Sequence, residues 1–500
     1  MEIDERTFSG GYCFKGFECE STLEVIKSEV PPEVAIPLKQ GFGKEVSAIV
    51  KPGDVVKAGQ IIGRDDDTIS SPIHSSVNGT VNEIELVEYF NEKTQTVFIT
   101  TDSSSDWMPI EGHSAEWSAL PADKIEELLY LSGVTSLGSS GIPSKYKSSI
   151  ISPFEVEHII IHHTESDLFN ESCAMLLKDE LLSHFVEGLA ILKAVMKMSK
   201  IHIAFSRSSS KWLMRIADMI KDKDSILEDS TSFYTLKSKY PQHRDEVLIP
   251  SILGRKFPHG YLPANIGVLT FTIQDVLHVY DAVVTGKPLI ERLISLAGPG
   301  FDHRPYLLVK IGTSFQDIIV SRRKRDRELR FIINSITTGK TILDLNMPVT
   351  KTCSRVISII EERGGDTFSF IRLGARKDSY SNTFLSLFCS PKKSLTTNIH
   401  GERRPCISCG FCSDCCPSGL YPNLLHLYVL REKIDEPLVQ FGIFDCIECN
   451  LCTYVCPSKI PVAKLLKEGK VKLLHEGFHP DEQNSSIVDL KGIEEFKDLQ

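Results

Sequence analysis

Nine of the fourteen cysteines in this 500-residue sequence fall between positions 406 and 456, and that crowding constrains the chain more than any other feature. The first run reads Cys406-Ile-Ser-Cys409-Gly-Phe-Cys412-Ser-Asp-Cys415-Cys416-Pro417, the second Cys446-Ile-Glu-Cys449-Asn-Leu-Cys452-Thr-Tyr-Val-Cys456-Pro457. Both fit C-x2-C-x2-C-x3-C-P, the spacing of a bacterial two-cluster ferredoxin. Three thiolates from one tight loop can wrap three corners of a cubane, and the proline turns the chain so that the fourth cysteine reaches the other cluster. The spacing therefore predicts two [4Fe–4S] clusters. One is held by Cys406, Cys409, Cys412 and Cys456, the other by Cys446, Cys449, Cys452 and Cys416. Register leaves Cys415 over. Paired C-x2-C knuckles can also build a structural zinc site, but two runs of four cysteines, each followed by proline, suit that reading poorly. Helical apolar spacing in NLLHLYVLREKI and VAKLLKEGKVKLLHEGF predicts a helical ferredoxin-like domain over 395–475, with 476–500 as a tail. Crossed ligation would bring the clusters close together, so the segment reads as an electron wire. The scattered Cys13, Cys19, Cys173, Cys353 and Cys389 read as buried reduced thiols.

A hydrophobic content of 41% and a charged content of 24% describe a globular chain long enough for several cores. The net charge of -10 opposes binding to phosphate backbones and argues against nucleic acid as a partner. The N-terminus, MEIDERTFSGG, has no basic and apolar leader, and no stretch approaches the roughly 20 apolar residues that span a bilayer. The expectation is a cytoplasmic protein whose membrane contact is indirect.

Residues 1–31 read as an N-terminal extension and 32–100 as short strands with turn signals, a barrel-sandwich of the biotinyl/lipoyl type. Arg64-Asp65-Asp66-Asp67-Thr68 stands at the tip where a carrier domain would need a lysine, so a plain β scaffold is expected, and Asn78-Gly79 suits a tight hairpin with φ above zero. Strands such as VEHIIIH and IHIAF alternate with helices, KIEELLYLSG ending at Gly133 and KWLMRIADMIKDK among them, which argues a largely parallel α/β domain over 122–265. From 266 to 388 a helix near Ile273–Val284 and shorter strands suggest a smaller ubiquitin-like unit with returning strands. SRRKRDRELR, residues 321–330, reads as a solvated basic face.

The stretches IPLKQGFGKEVSAIVKPGDVVKAGQII, SSPIHSSVNGTV, YPQHRDEVLI, LPANIGVLTFTIQDVLHVYDAVVTGKPLIERLI, KIGTSFQDII and CIECNLCTYVCPSKIP, in that order, resemble the C subunit of the Rnf ion-translocating ferredoxin:NAD oxidoreductase from about 32 to about 465. The resemblance implies a multidomain fold: barrel-sandwich hybrid, flavin-dehydrogenase-like α/β domain, ubiquitin-like SLBB-type unit and two-cluster ferredoxin domain. It also implies FMN and NAD(H), with Gly138, Gly141 and Lys145 of the glycine loop and Glu165 and Asp167 of an acidic segment as binding residues. Here the chain departs from the family pattern. Ser139 and Ser140 replace glycines of the phosphate loop, and an Asn and a Pro are missing around Glu165 and Asp167. His162 and His163 stand at the end of the preceding strand.

What the resemblance implies is a peripheral subunit on the cytoplasmic side of the inner membrane. It would pass electrons between NAD(H) and a ferredoxin-type carrier while other subunits of the redox complex move ions. Two further readings stay open: a soluble corrin reductase of the microcompartment type, and a non-catalytic wire or docking subunit whose flavin site has decayed.

Overall fold

The computed structural model describes residues 3–14, 24–41, 44–65, 70–102, 104, 106–134, 155–164, 166–169, 176–223, 225–258, 260–361, 403–480 and 490–491. Gly138, Gly141, Lys145 and Glu165, with Cys19, Cys173 and Cys389, lie outside the described residues.

Alternating apolar residues in the first unit build two small sheets. One has the order Glu33–Pro37, Glu92–Thr101, Gly79–Tyr89, Val55–Val56, and the other the order Ser47–Ala48, Ile61–Arg64, Ile73–His74. Val34, Ile36, Leu38, Val56, Ile62, Val81, Val97 and Ile99 close between them. The hairpin turn is not at Asn78-Gly79. It falls at Phe90 and Asn91, with φ of 53° and 68°, the positive pair that a two-residue turn requires. Gly79 instead starts a strand, where a Cβ would collide with the carbonyl of Thr100, and the Asn78 side chain accepts from the amide of Ala58 at 2.8 Å.

Apolar central strands make the middle sheet, which is parallel throughout and ordered Ile3–Arg6, Thr231–Leu236, Lys200–Ser206, His158–His163, Val268–Thr272, with the polar Ile3–Arg6 at its edge. Ile159, Ile160 and Ile161 are all fully buried, as expected of a strand covered on both faces. Helices Asp179–Val195 and Ile273–Tyr280 share this core. The segment after residue 265 thus belongs partly to this sheet.

A mixed six-stranded sheet follows, ordered Lys340–Thr341, Leu329–Ile333, Arg355–Ile360, Glu291–Ala297, Tyr306–Lys310, Val25–Lys27, with the short helix Phe315–Ile319 over it. The N-terminal extension is therefore structural: its first strand edges the parallel sheet and its second edges this one. Residues 321–328 of the basic run form a largely exposed turn after the helix, and Leu329 and Arg330 begin the strand Leu329–Ile333.

The cysteine segment folds as two copies of one pattern forty residues apart. A loop with Ser408 and Gly410 (φ 52° and 82°) leads to helix Phe411–Asp414, then to helix Pro422–Leu430. The second copy has Glu448 and Asn450 (φ 55° and 66°), then Leu451–Tyr454 and Val462–His475.

Candidate iron–sulfur centre

The positive φ values coil each loop tightly enough to aim three thiols inward. One small cavity is lined by Cys406, Cys409, Cys412 and Cys456, walled by Ile407, Phe411, His426 and Val462. The other is lined by Cys416, Cys446, Cys449 and Cys452, with Cys412 on the shared wall and Ile447, Leu451 and Leu466 around them. Each run thus sends its fourth cysteine into the other run's cavity. Two rings of four cysteines, each drawing its fourth member from the other run, suit a pair of cubanes rather than a single tetrahedral zinc.

Burial dominates the thiols. It pushes Cys412 up to about 11 and Cys449 up to about 12, and it raises Cys416, Cys446 and Cys452. At neutral pH these groups become thiolates only against a bound cation, and loading the sites releases protons. Cys415, which lines neither cavity, packs into the apolar core and donates its S–H to the carbonyl of Cys412 at 3.5 Å. Burial likewise pushes Cys353 up to about 12, an inert thiol.

The two cradles differ in surroundings. The outer one opens to solvent: Cys409 is exposed and Ile407 is 68% exposed. The inner one lies against the rest of the molecule. The buried Tyr240 hydroxyl donates to the carbonyl of Cys449 at 3.0 Å and accepts from Thr337 Oγ1 at 2.7 Å. Asn450 Nδ2 donates to the carbonyl of Thr337 at 3.1 Å, and the Arg244 guanidinium donates to the carbonyl of Ile447 at 3.2 Å. The N-terminal segment straps the same seam, with Gly11 N–H on the carbonyl of Cys415 at 2.8 Å and Phe14 against Tyr240 and Tyr454. Burial, then the nearby Asp167, keeps the Tyr240 phenol firmly protonated.

Of the five residues offered for flavin or nucleotide, only Asp167 is described. Its buried carboxylate accepts from the amide of Leu168 at 2.8 Å. Burial raises its pKa, while Arg355 and then Ser335 oppose the rise. Its neighbour Ser166 meets His243 Nδ1 at 3.4 Å, and the His243 ring lies 5.5 Å from that of Tyr240. Contacts therefore run without a gap from the acidic segment to the inner cradle. His243 is held neutral, burial and then Arg244 pulling it down to about 3.

A barrel scaffold, a parallel α/β domain and a pair of crossed cysteine cradles together define a multidomain iron–sulfur electron-transfer protein. Residues 6–104 match the RnfC barrel sandwich hybrid domain, 130–281 the Nuo51 FMN-binding domain and 405–460 the 4Fe-4S dicluster domain. With these modules in order, the chain is similar along most of its length to the C subunits of ion-translocating oxidoreductase complexes. It is 24% identical over 437 residues to the C subunit of the proton-translocating ferredoxin:NAD(+) oxidoreductase complex of Clostridium ljungdahlii, a match that covers 86% of this chain and 85% of that one. It is 26% identical over 443 residues to the Na(+)-translocating counterpart of Acetobacterium woodii, covering 87% and 90%. The C subunit of the Pseudomonas aeruginosa ion-translocating oxidoreductase complex is 25% identical over 93% of this chain, which spans only 55% of that longer protein.

Proposed function

We propose that this chain is the electron-transfer subunit of a membrane-bound, Rnf-type ferredoxin:NAD oxidoreductase complex, relaying electrons between NAD(H) and a ferredoxin-type carrier. FMN, when bound, converts a two-electron hydride donor into single electrons. Gly138, Gly141 and Lys145 would cradle its phosphate, with Glu165 and Asp167 as further residues for FMN or NAD(H). The chain's own residues then hold and shield the one-electron sites. Tyr240, Arg244 and Thr337 seat the inner cysteine loop against the flavin-type domain, while the outer loop faces solvent, where a carrier can approach. Ion movement would fall to other subunits, as in the complexes whose C subunits this chain is similar to; no helix among the described residues is long and apolar enough to cross a membrane. A peripheral position on the cytoplasmic side of the inner membrane completes this reading.

The observation that carries the proposal is the unbroken contact between the FMN-type domain and the inner cradle. Anaerobically purified protein should contain flavin, and NADH should bleach its cluster absorbance. A protein with both clusters but neither flavin nor bleaching is a wire without a dehydrogenase, and this reading fails.

A further inference from the structure

Laying the two cysteine copies over one another, forty residues apart, pairs Cys406 with Cys446, Ser408 with Glu448, Leu427 with Lys467, and Leu430 with Lys470. The copies agree in backbone and in cysteines but differ in charge. The outer copy has none at these three positions; the inner copy has three.

Helix Val462–His475 buries Val462, Leu465, Leu466, Gly469, Lys470 and Leu473, so a lysine stands on an apolar face where its paired position carries leucine. Only 6% of Lys470 is exposed. Its ammonium donates to the carbonyl of Cys446 and lies 3.4 Å from Glu448 Oε1, while Lys467 reaches Glu448 Oε2 at 3.4 Å. Two lysines and one glutamate leave one net positive charge beside the inner cradle. Burying such a charge is costly, and the fold holds the same loop in the outer copy without it.

We infer that Lys470 is a positioning residue whose charge raises the reduction potential of the inner cluster, the one that Cys416, Cys446, Cys449 and Cys452 would hold. The inference rests on the two-cluster reading above. Reduction adds one electron to the site and no proton, so the reduced form carries one more negative charge. A cation fixed in a low-dielectric wall stabilises that form, whereas burial alone disfavours it. The inner cradle, withdrawn from solvent, is the one that needs the compensation. Lys470 thus offsets, at the inner site, the lowering of potential that burial alone would impose.

The test is an EPR-monitored redox titration of the full chain, purified anaerobically with both clusters, using dithionite and mediator dyes. Lys470→Gln keeps a donor for the Cys446 carbonyl and removes the charge. The expected result is one midpoint moved to more negative potential, the other unmoved, and restoration by Lys470→Arg. Glu448→Gln removes the opposing charge and should move the same midpoint the other way, which keeps the test open if the lysine variants load poorly. Unmoved midpoints in Lys470→Gln and Glu448→Gln, or an arginine variant shifted as far as the glutamine one, would overturn the inference. Iron and sulfide content of the unsubstituted protein separates that failure from failure of the two-cluster reading.

Discussion

Replacing Tyr240 with Phe probes the seam between the flavin-type domain and the inner cysteine loop with a single atom. The ring is fully buried, so its packing survives and only the hydroxyl is lost. That hydroxyl donates to the Cys449 carbonyl at 3.0 Å and accepts from Thr337. Thr337 keeps a partner in Ser335 Oγ at 2.9 Å, so the main loss falls on the Cys449 carbonyl. An unsatisfied buried acceptor costs about 1–3 kcal/mol, and about 2 kcal/mol corresponds to roughly 30-fold more frequent local opening. Hydrogen exchange followed by mass spectrometry should show that acceleration in peptides covering 446–455, with those covering 406–415 unchanged. Equal rates in variant and parent, or equal acceleration in both loops, would refute the claim that this bond holds the inner loop to the domain beside it.

Gly10 sits at φ +70°, where a Cβ would run into the Cys416 carbonyl; Gly10→Ala should displace Cys416 and lower bound iron from about eight toward about four per chain, by iron assay. Cys415→Ala removes a thiol that lines neither cavity, so iron content should hold while thermal stability drops by about 1 kcal/mol. Burial pulls Lys351 down to about 7 at the junction where it donates to the carbonyls of Pro72 and Gly133 at 2.9 and 3.0 Å. Between pH 7 and its unfolded value near 10.4 the unfolded chain binds the extra proton, so this residue makes stability rise with pH across that window. Melting temperatures of Lys351→Met should rise less from pH 7 to 10 than those of the parent.

The cysteine spacing made the cradles legible because ligand geometry is local: each loop supplies three ligands within seven residues, and the proline marks the fourth. The parallel sheet was legible for a similar reason, since strands buried on both faces leave continuous runs such as HIIIHH. The seam was not, because Tyr240, Thr337 and Asn450 meet across distances in sequence that no periodicity records. YPQHRDEVLI stood out as a stretch, but nothing in it says that its tyrosine reaches a cysteine loop. Lys470 did leave a signal, a lysine at a core position of an otherwise apolar helix face, visible from Val462, Leu465, Leu466, Gly469 and Leu473. Asn78-Gly79 misled because glycine serves two needs, a positive φ or a missing Cβ, and here the approach of Thr100 uses the second.

Crossed ligation between the two cysteine runs is the central claim, and it is tested most directly by counting iron in a chain reduced to one cradle. With Cys446, Cys449 and Cys452 replaced by alanine, about four irons should remain. Adding Cys456→Ser should remove them, and adding Cys416→Ser should leave them in place. Iron lost with Cys416 and kept without Cys456 would mean that each run ligates its own cluster, contradicting the account.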